Sequence, residues 1–392
     1  MPELKTRPTR PGLQLAAALV LLLLLAAVPL SKATGAALFV AHPLAFCLAF
    51  LLASMTAVPF FLFIWWLDRN EPEPLHMLGL AFLWGAFVAT AVSMAVNGLM
   101  EGLFSIFAAP ETAAQLTASI SAPFIEELTK GCALLMIYAM FRREFDNLVD
   151  GIVYGAVVGL GFAWYENITY YMLPFIDSDP ETGIGDMMMT AYMRGIVSAS
   201  GGSHAAYTAL VGAAAGYFRE KGGASILLVP LGMGLAMFSH FIWNTFAGVV
   251  MELFSGGSES MAVVTGLPAA VLFLQLPFLF MLFIGLLFGW RRERLIIDSH
   301  LAMESSVLVR KEELEAHHGT FGRRLHSYWT YLFGSKEKRL RNRLAKAQVR
   351  LAFSRWHHAK DPRIDWPPGE DMELSRRREE VLALRRELEE LA

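Results

Sequence analysis

Basic residues are sparse between residues 13 and 290 of this 392-residue chain and dense from Arg291 onward, so most of the chain offers no basic face to nucleic acid. Its two cysteines, Cys47 and Cys132, lie in apolar stretches, which excludes a disulfide framework or a Cys-based zinc site and leaves them as small hydrophobes. No HExxH string is present, which removes thermolysin-like zinc binding. Neither Walker A nor GxGxxG occurs in a strand–helix context, which removes the common nucleotide-binding folds. No internal repeat is visible, so the paired inverted halves of many transporters are not indicated.

What the chain has in abundance is apolar length. It is 55% hydrophobic and 12% aromatic, with a mean hydropathy of +0.44, which is the composition of a multi-span membrane protein. Crossing a hydrocarbon core takes about 20 apolar residues, and about eight runs qualify: 13–30, 43–67, 75–98, 122–141, 148–172, 190–217, 224–250 and 262–290. A basic flank (Lys5, Arg7, Arg10) before the first run also suits a signal peptide, but its length favours a retained span. Basic residues fall on alternate connections: Lys5, Arg7 and Arg10, then Arg69, then Arg142 and Arg143, then Arg219 and Lys221, then Arg291, Arg292 and Arg294. By the positive-inside rule these connections are cytoplasmic, as are both termini, in an inner membrane.

The fold expected is an all-α polytopic membrane protein with about eight transmembrane helices and a cytoplasmic helical tail. It divides into an N-terminal region 1–52, a core 53–290 and a charged tail 291–392. In the tail, "RLRNRLAKAQVRLAF" places Leu340, Leu344, Ala347 and Leu351 on one helical face among basic residues. Such a helix suits either an anionic lipid surface or a solvated helical bundle. After "DWPPGE", Val381, Leu384, Leu388 and Leu391 follow at three- and four-residue steps, too short a run to claim a coiled coil.

Four apolar runs carry polar groups that an anchor would not need. They are Glu126, Glu127 and Lys130; Glu166 and Asn167; His204; and His240 with Asn244. A charged group at the centre of a membrane helix costs roughly 2.5–3.5 kcal/mol, so the four charged ones, unpaired, would cost about 10–14 kcal/mol. They must face one another or water. Glu126 and Lys130 are four residues apart and can pair, supporting a balancing role for Lys130, while Glu127 points elsewhere. His240 and Asn244, also four apart, aim at one volume, and Asn167 can add an interhelical hydrogen bond.

Such a set can hydrolyse an amide bond: a carboxylate deprotonates water, an imidazole steers it, and a His/Asn pair donates to the oxyanion. Other protease chemistries fit less well. "GIGD" (Gly183 to Asp186) matches the GxGD string of aspartyl intramembrane proteases, but its only candidate partner, Asp150, is expected at the opposite face. Ser203 with His240 would form a dyad and leave three glutamates without a task. Zinc held by Glu166, His204 and His240 has acceptable ligand types and stands beside a metal-free site as an alternative. Two non-protease readings use the same residues: a proton-coupled transporter with a Glu/His relay, or a non-catalytic membrane scaffold.

"EELTK" (126–130), "FAWYEN" (162–167), "HAAYTALVG" (204–212) and "HFIWN" (240–244) resemble, in order, the membrane motifs of the PrsW-type intramembrane proteases. The cytoplasmic "DRNEPEPL" (68–75) is similar to a further family string, and the family sits in a wider group with CAAX-prenyl endopeptidases. The resemblance implies a glutamate-dependent or metal-assisted endopeptidase. It places the water-activating base on Glu126, a paired glutamate on Glu127 and oxyanion binding on His240 and Asn244. It further implies a membrane-spanning or lipid-anchored protein substrate, cut near the outer face as in site-1 cleavage of an anti-sigma factor. The tail lies outside the resemblance, and its partner is unassigned.

Overall fold

The computed structural model describes residues 37–68, 70–141, 144–179, 182–258, 261–310, 313, 334–360 and 370–391. Among these the secondary structure is helical, without strands. Among the described residues, five helices are long and apolar enough to cross a membrane: α1 (Pro43–Leu67), α2 (Leu75–Phe104), α5 (Leu148–Asp177), the helical stretch Gly223–Ser255, which holds α8 (Leu228–Ser255), and α9 (Ala262–Leu301). They correspond to five of the expected spans. The run 13–30 lies outside the described residues.

The other two expected spans differ from a simple apolar helix. Residues 122–141 form α4 (Ala122–Met140), preceded by the short α3 (Pro110–Leu116) and a π-helical turn Thr117–Ser121. This helix is inside out: Glu126, Glu127 and Lys130 are buried, whereas Phe124, Leu128 and Leu135 are exposed. That inversion is what a polar interior and an apolar surrounding select.

The run 190–217 is not one helix. After α6 (Gly183–Thr190), a π-helical segment Ala191–Val197 ends at Ser198, and α7 (Ser200–Lys221) begins beyond Ala199. Ala199 has φ +50°, the only non-glycine residue in the left-handed region among those described. "SASGGS" has low helix propensity, so the chain breaks here at little cost where a polar cavity takes up its ends.

Helix α5 is central, with every residue from Val149 to Ala163 buried. Its start is fixed by a capping box. Asn147 Oδ1 accepts from the Val149 and Asp150 backbone N–H groups, and Asp150 Oδ2 accepts from the Asn147 N–H. Burial, then the Asp150 and Asp68 carboxylates, hold Glu73 just upstream of α2 well above the usual carboxylate range, and Tyr154 donates to its Oε2 at 2.6 Å. The packing of α5 on α7 depends on glycine. A Cβ on Gly159 would lie 2.1 Å from the His204 carbonyl oxygen, and one on Gly151 would lie 2.0 Å from that of Gly212. Backbone contact this close fixes the height of His204 against α5.

The described residues form two compact units, one drawn from within residues 1–68 and 73–286, the other from within 69–72 and 287–392. In the second, α10 (Lys336–Lys360) and α11 (Glu370–Glu389) close a core with the end of α9. Leu340, Leu344, Ala347 and Leu351 are buried there with Val381 and Leu384. The apolar stripe of α10 is therefore covered by its own chain, and of the two readings of that helix the bundle holds. Leu388 packs on the same core, while Leu391 is exposed.

Candidate active site

Four elements bring the ionisable residues of the first unit together. From α4, Glu126, Glu127 and Lys130 share one buried face, since residues three and four apart are neighbours on a helix. From α5 come Glu166 and Asn167, from α7 His204, and from α8 His240 and Asn244. Glu126, Glu166, His204, His240 and Asn244 line one cavity of about 120 Å³, together with Tyr170, Arg194 and Tyr207.

The cations are spoken for. Lys130 Nζ lies 2.7 Å from Glu127 Oε1 and donates to His204 Nδ1 at 3.1 Å, with the Phe162 ring beneath it at 3.9 Å. Glu126 Oε2 is farther, at 3.7 Å. The sequence pairs Lys130 with Glu126 and leaves Glu127 free. In the structure Glu127 is the closer partner, because the i,i+3 neighbour shares the face equally well and lies deeper. Glu127 also accepts from Thr208 Oγ1 at 3.1 Å and meets His240 Nδ1 at 3.0 Å. It is thus an internal anchor rather than a group free for other work.

Arg194 was not legible as a site residue. It projects from the π-helical segment and donates to Glu166 Oε2 at 2.7 Å and Asn167 Oδ1 at 2.8 Å, while its guanidinium stacks 3.7 Å over Tyr170. The signal that could have found it is a lone arginine inside an otherwise apolar run. Ser200 Oγ also donates to Asn167 Oδ1, at 3.0 Å, so Asn167 joins the broken stretch to α5. His204 Nε2 donates to the same Glu166 oxygen at 2.9 Å.

Glu127 takes Lys130 and Glu166 takes Arg194, so each of these carboxylates has a close cation. Glu126 is the odd one. Its Oε2 is buried and has no hydrogen-bond partner among the described residues. Opposite stand the two imidazoles, His204 and His240, with ring centres 5.1 Å apart. An Nδ1–H given to Glu127 leaves the Nε2 lone pair of His240 uncommitted, the arrangement seen where a carboxylate orients a metal-binding histidine.

Ligand atoms of Glu126, His204 and His240 lie within 4.8 Å of one another. Two nitrogens and one oxygen are a donor set suited to zinc, and the orphaned Glu126 oxygen is the kind of atom a cation would satisfy, so these residues fit a metal. His204 would exchange one of its present hydrogen bonds to join. The sequence names Glu166 in this trio. In the structure Glu126 takes that place, because Glu166 Oε2 is held by both Arg194 and His204.

The competing chemistries can be placed too. Asp150 caps the start of α5, while Asp186 binds Ser178, just past its other end. That helix has 30 residues, which at the helical rise separates the two by roughly 40 Å, so they form no aspartyl dyad. Ser203 Oγ donates to Gln275 Oε1 at 2.7 Å. Asn244 lines the cavity, but its Nδ2 donates to the Ala118 carbonyl at 2.8 Å.

Residues 73–281 match the family described as PrsW family intramembrane metalloprotease. The chain belongs to the PrsW family. It is 34% identical to Protease PrsW of Clostridioides difficile (strain 630) over 30% of this chain and 48% of that protein. With Protease PrsW of Bacillus subtilis (strain 168) it shares 36% identity over 26% of this chain and 44% of the relative. The figures for Protease PrsW of Geobacillus kaustophilus (strain HTA426) are 32%, 37% and 55%. The chain thus spans about half the length of the curated relatives it matches. No solved structure matches it. All five cavity-lining site residues named above fall inside the family match.

Proposed function

We propose that this PrsW-family chain is an intramembrane endopeptidase. It cuts a membrane-spanning or lipid-anchored protein near the outer face, in the manner of site-1 cleavage of an anti-sigma factor. The observation that carries this reading is Glu126: a buried carboxylate without a hydrogen bond on Oε2, facing two imidazoles across a polar cavity inside a membrane protein.

In the hydrolysis, Glu126 takes a proton from water as the water oxygen bonds to the scissile carbonyl carbon. The same proton then passes to the amide nitrogen as the C–N bond breaks. Glu127 fixes the His240 ring and Glu166 fixes His204, so the two imidazoles orient the water and the carbonyl. Lys130 and Arg194 offset the charges of the anchoring carboxylates. A metal, when bound, would be held by Glu126, His204 and His240 and would act as a Lewis acid that makes water nucleophilic near neutral pH. In that form Glu126 serves as ligand.

The topology that goes with this reading is an inner-membrane protein of about eight spans with both termini cytoplasmic. Residues 53–290 form its protease core and 291–392 a cytoplasmic tail. The test is co-expression of wild type, Glu126→Gln and His240→Ala with tagged single-span substrates, with and without a chelator. Cleavage by wild type alone, at equal protein abundance, is expected. Chelator sensitivity separates the metal-loaded from the metal-free site. Wild type and variants that behave alike on every substrate would overturn the reading.

A further inference from the structure

Tyr207 lies one turn beyond His204 on α7 and lines the same cavity. Its residue is 2% exposed, and its ring stacks on His240 with centres 5.0 Å apart and planes inclined by 21°. It also meets the His204 ring edge-on at 5.8 Å. The hydroxyl of Tyr207 is buried and makes no well-formed hydrogen bond among the described residues, with Ser203 lying close enough to interact with it. The neighbouring Ser203 gives its proton to Gln275.

A buried tyrosine hydroxyl ordinarily finds a partner, because leaving the group unpaired costs the whole of its desolvation. An orphan at the wall of a polar cavity is a donor held for something that enters. The alternative donor, Asn244, gives one Nδ2 hydrogen to the Ala118 carbonyl and is exposed, so water competes for the other. His240 has its Nδ1 engaged by Glu127. Tyr207 is therefore a buried O–H donor in the cavity wall without a well-formed hydrogen bond among the described residues, and its ring is clamped against the imidazole that steers the reacting groups.

We propose that the Tyr207 hydroxyl is a catalytic hydrogen-bond donor to the scissile carbonyl oxygen, strengthening as that oxygen becomes an oxyanion. This rests on the protease reading above. The hydroxyl keeps its proton throughout, so no bond is made or broken at Tyr207. A donor aimed at charge that develops only in the transition state raises the rate without tightening substrate binding.

The test is Tyr207→Phe, which removes one oxygen and keeps the stacked ring. It is assayed beside wild type and Glu126→Gln on a tagged single-span substrate that wild type cuts. Loss of an oxyanion donor is expected to lower kcat roughly 10²–10³-fold with KM unchanged. Affinity for a tetrahedral phosphinic mimic of the cleaved bond should fall with kcat/KM, and the thermal midpoint in detergent should not fall. Because the mimic is bound rather than turned over, it reports on the folded variant even if expression is poor. Tyr207→Phe that keeps kcat within about twofold of wild type, while Glu126→Gln is inactive, would overturn this role and leave the protease reading intact. Finding no single-span substrate that wild type cuts would overturn both.

Discussion

The cavity of the first unit and the tail bundle of the second use the same residue types, Glu with Lys or Arg, for opposite ends. Behind the cavity wall the Glu127–Lys130 pair is fully buried, with both side chains 0% exposed. In the tail, pairs such as Arg310–Glu389, at 54% and 56% exposed, or Arg350–Glu380 sit in solvent. Buried charges are tolerated only when each is matched, so a buried carboxylate oxygen left without a hydrogen bond, as Glu126 Oε2 is, marks a task, whereas an exposed pair adds little and marks none. The tail also has intermediate cases among the described residues, such as Glu304, whose buried side chain receives Arg355 and Arg378. Its partners are arginines arranged to saturate it.

The contrast can be broken at its strongest point by removing one member of the buried pair. Lys130→Met leaves Glu127 without its cation, and a loss of about 3–5 kcal/mol in stability is expected, read as a fall in the detergent thermal midpoint and in abundance. A double change, Lys130→Met with Glu127→Gln, should recover part of it. If Lys130→Met is as stable as wild type, the buried charges are not matched as described.

Next in size is the backbone contact that sets His204. Gly159→Ala introduces a Cβ where the His204 carbonyl stands, so α5 and α7 must separate. Cleavage should drop more than tenfold while a tail-only readout, the protection of α10 and α11 amides, stays unchanged. Gly185→Ala, where a Cβ meets open space, is the control. Smaller again is Arg194→Lys. It keeps one charge but loses the fork that joins Glu166 to Asn167, so partial activity is expected, with less retained by Arg194→Gln and recovery on adding guanidinium.

The tail supplies the smallest effects. Burial works against ionisation of Glu304, but hydrogen bonds from Arg378 and Arg355 hold its carboxyl below the usual range. A depressed folded value means its contribution is present above the ordinary carboxylate range and lost as pH falls through the lower folded one. The difference between wild type and Glu304→Gln in amide protection of α10 should therefore shrink on acidification. Arg350→Ala, at an exposed pair, should cost about 1 kcal/mol or less.

Much of the site was readable because membrane segments make polar residues conspicuous: Glu126, Glu166, His204 and His240 stand out in apolar runs and do converge on one cavity. Pairing was not readable. Helical spacing allows Lys130 either glutamate, and only packing against His204 and Phe162 decides that Glu127 is the closer. Arg194 escaped because it was absorbed into a supposed continuous span, whereas the backbone breaks at Ser198 and Ala199 and turns it toward Glu166. The stripe of α10 was legible, but its periodicity is the same whether lipid or protein covers it; the answer lay in Val381 and Leu384, far along the chain.

The central claim is that Glu126 activates the water that cuts the peptide bond or holds the metal that does so. It is tested most directly by cleaving a tagged single-span substrate in membranes prepared with water enriched in oxygen-18 and weighing the released fragment. The account predicts one heavy oxygen in the new carboxyl terminus with wild type, and no fragment with Glu126→Gln at equal abundance. A fragment released equally by Glu126→Gln would contradict it.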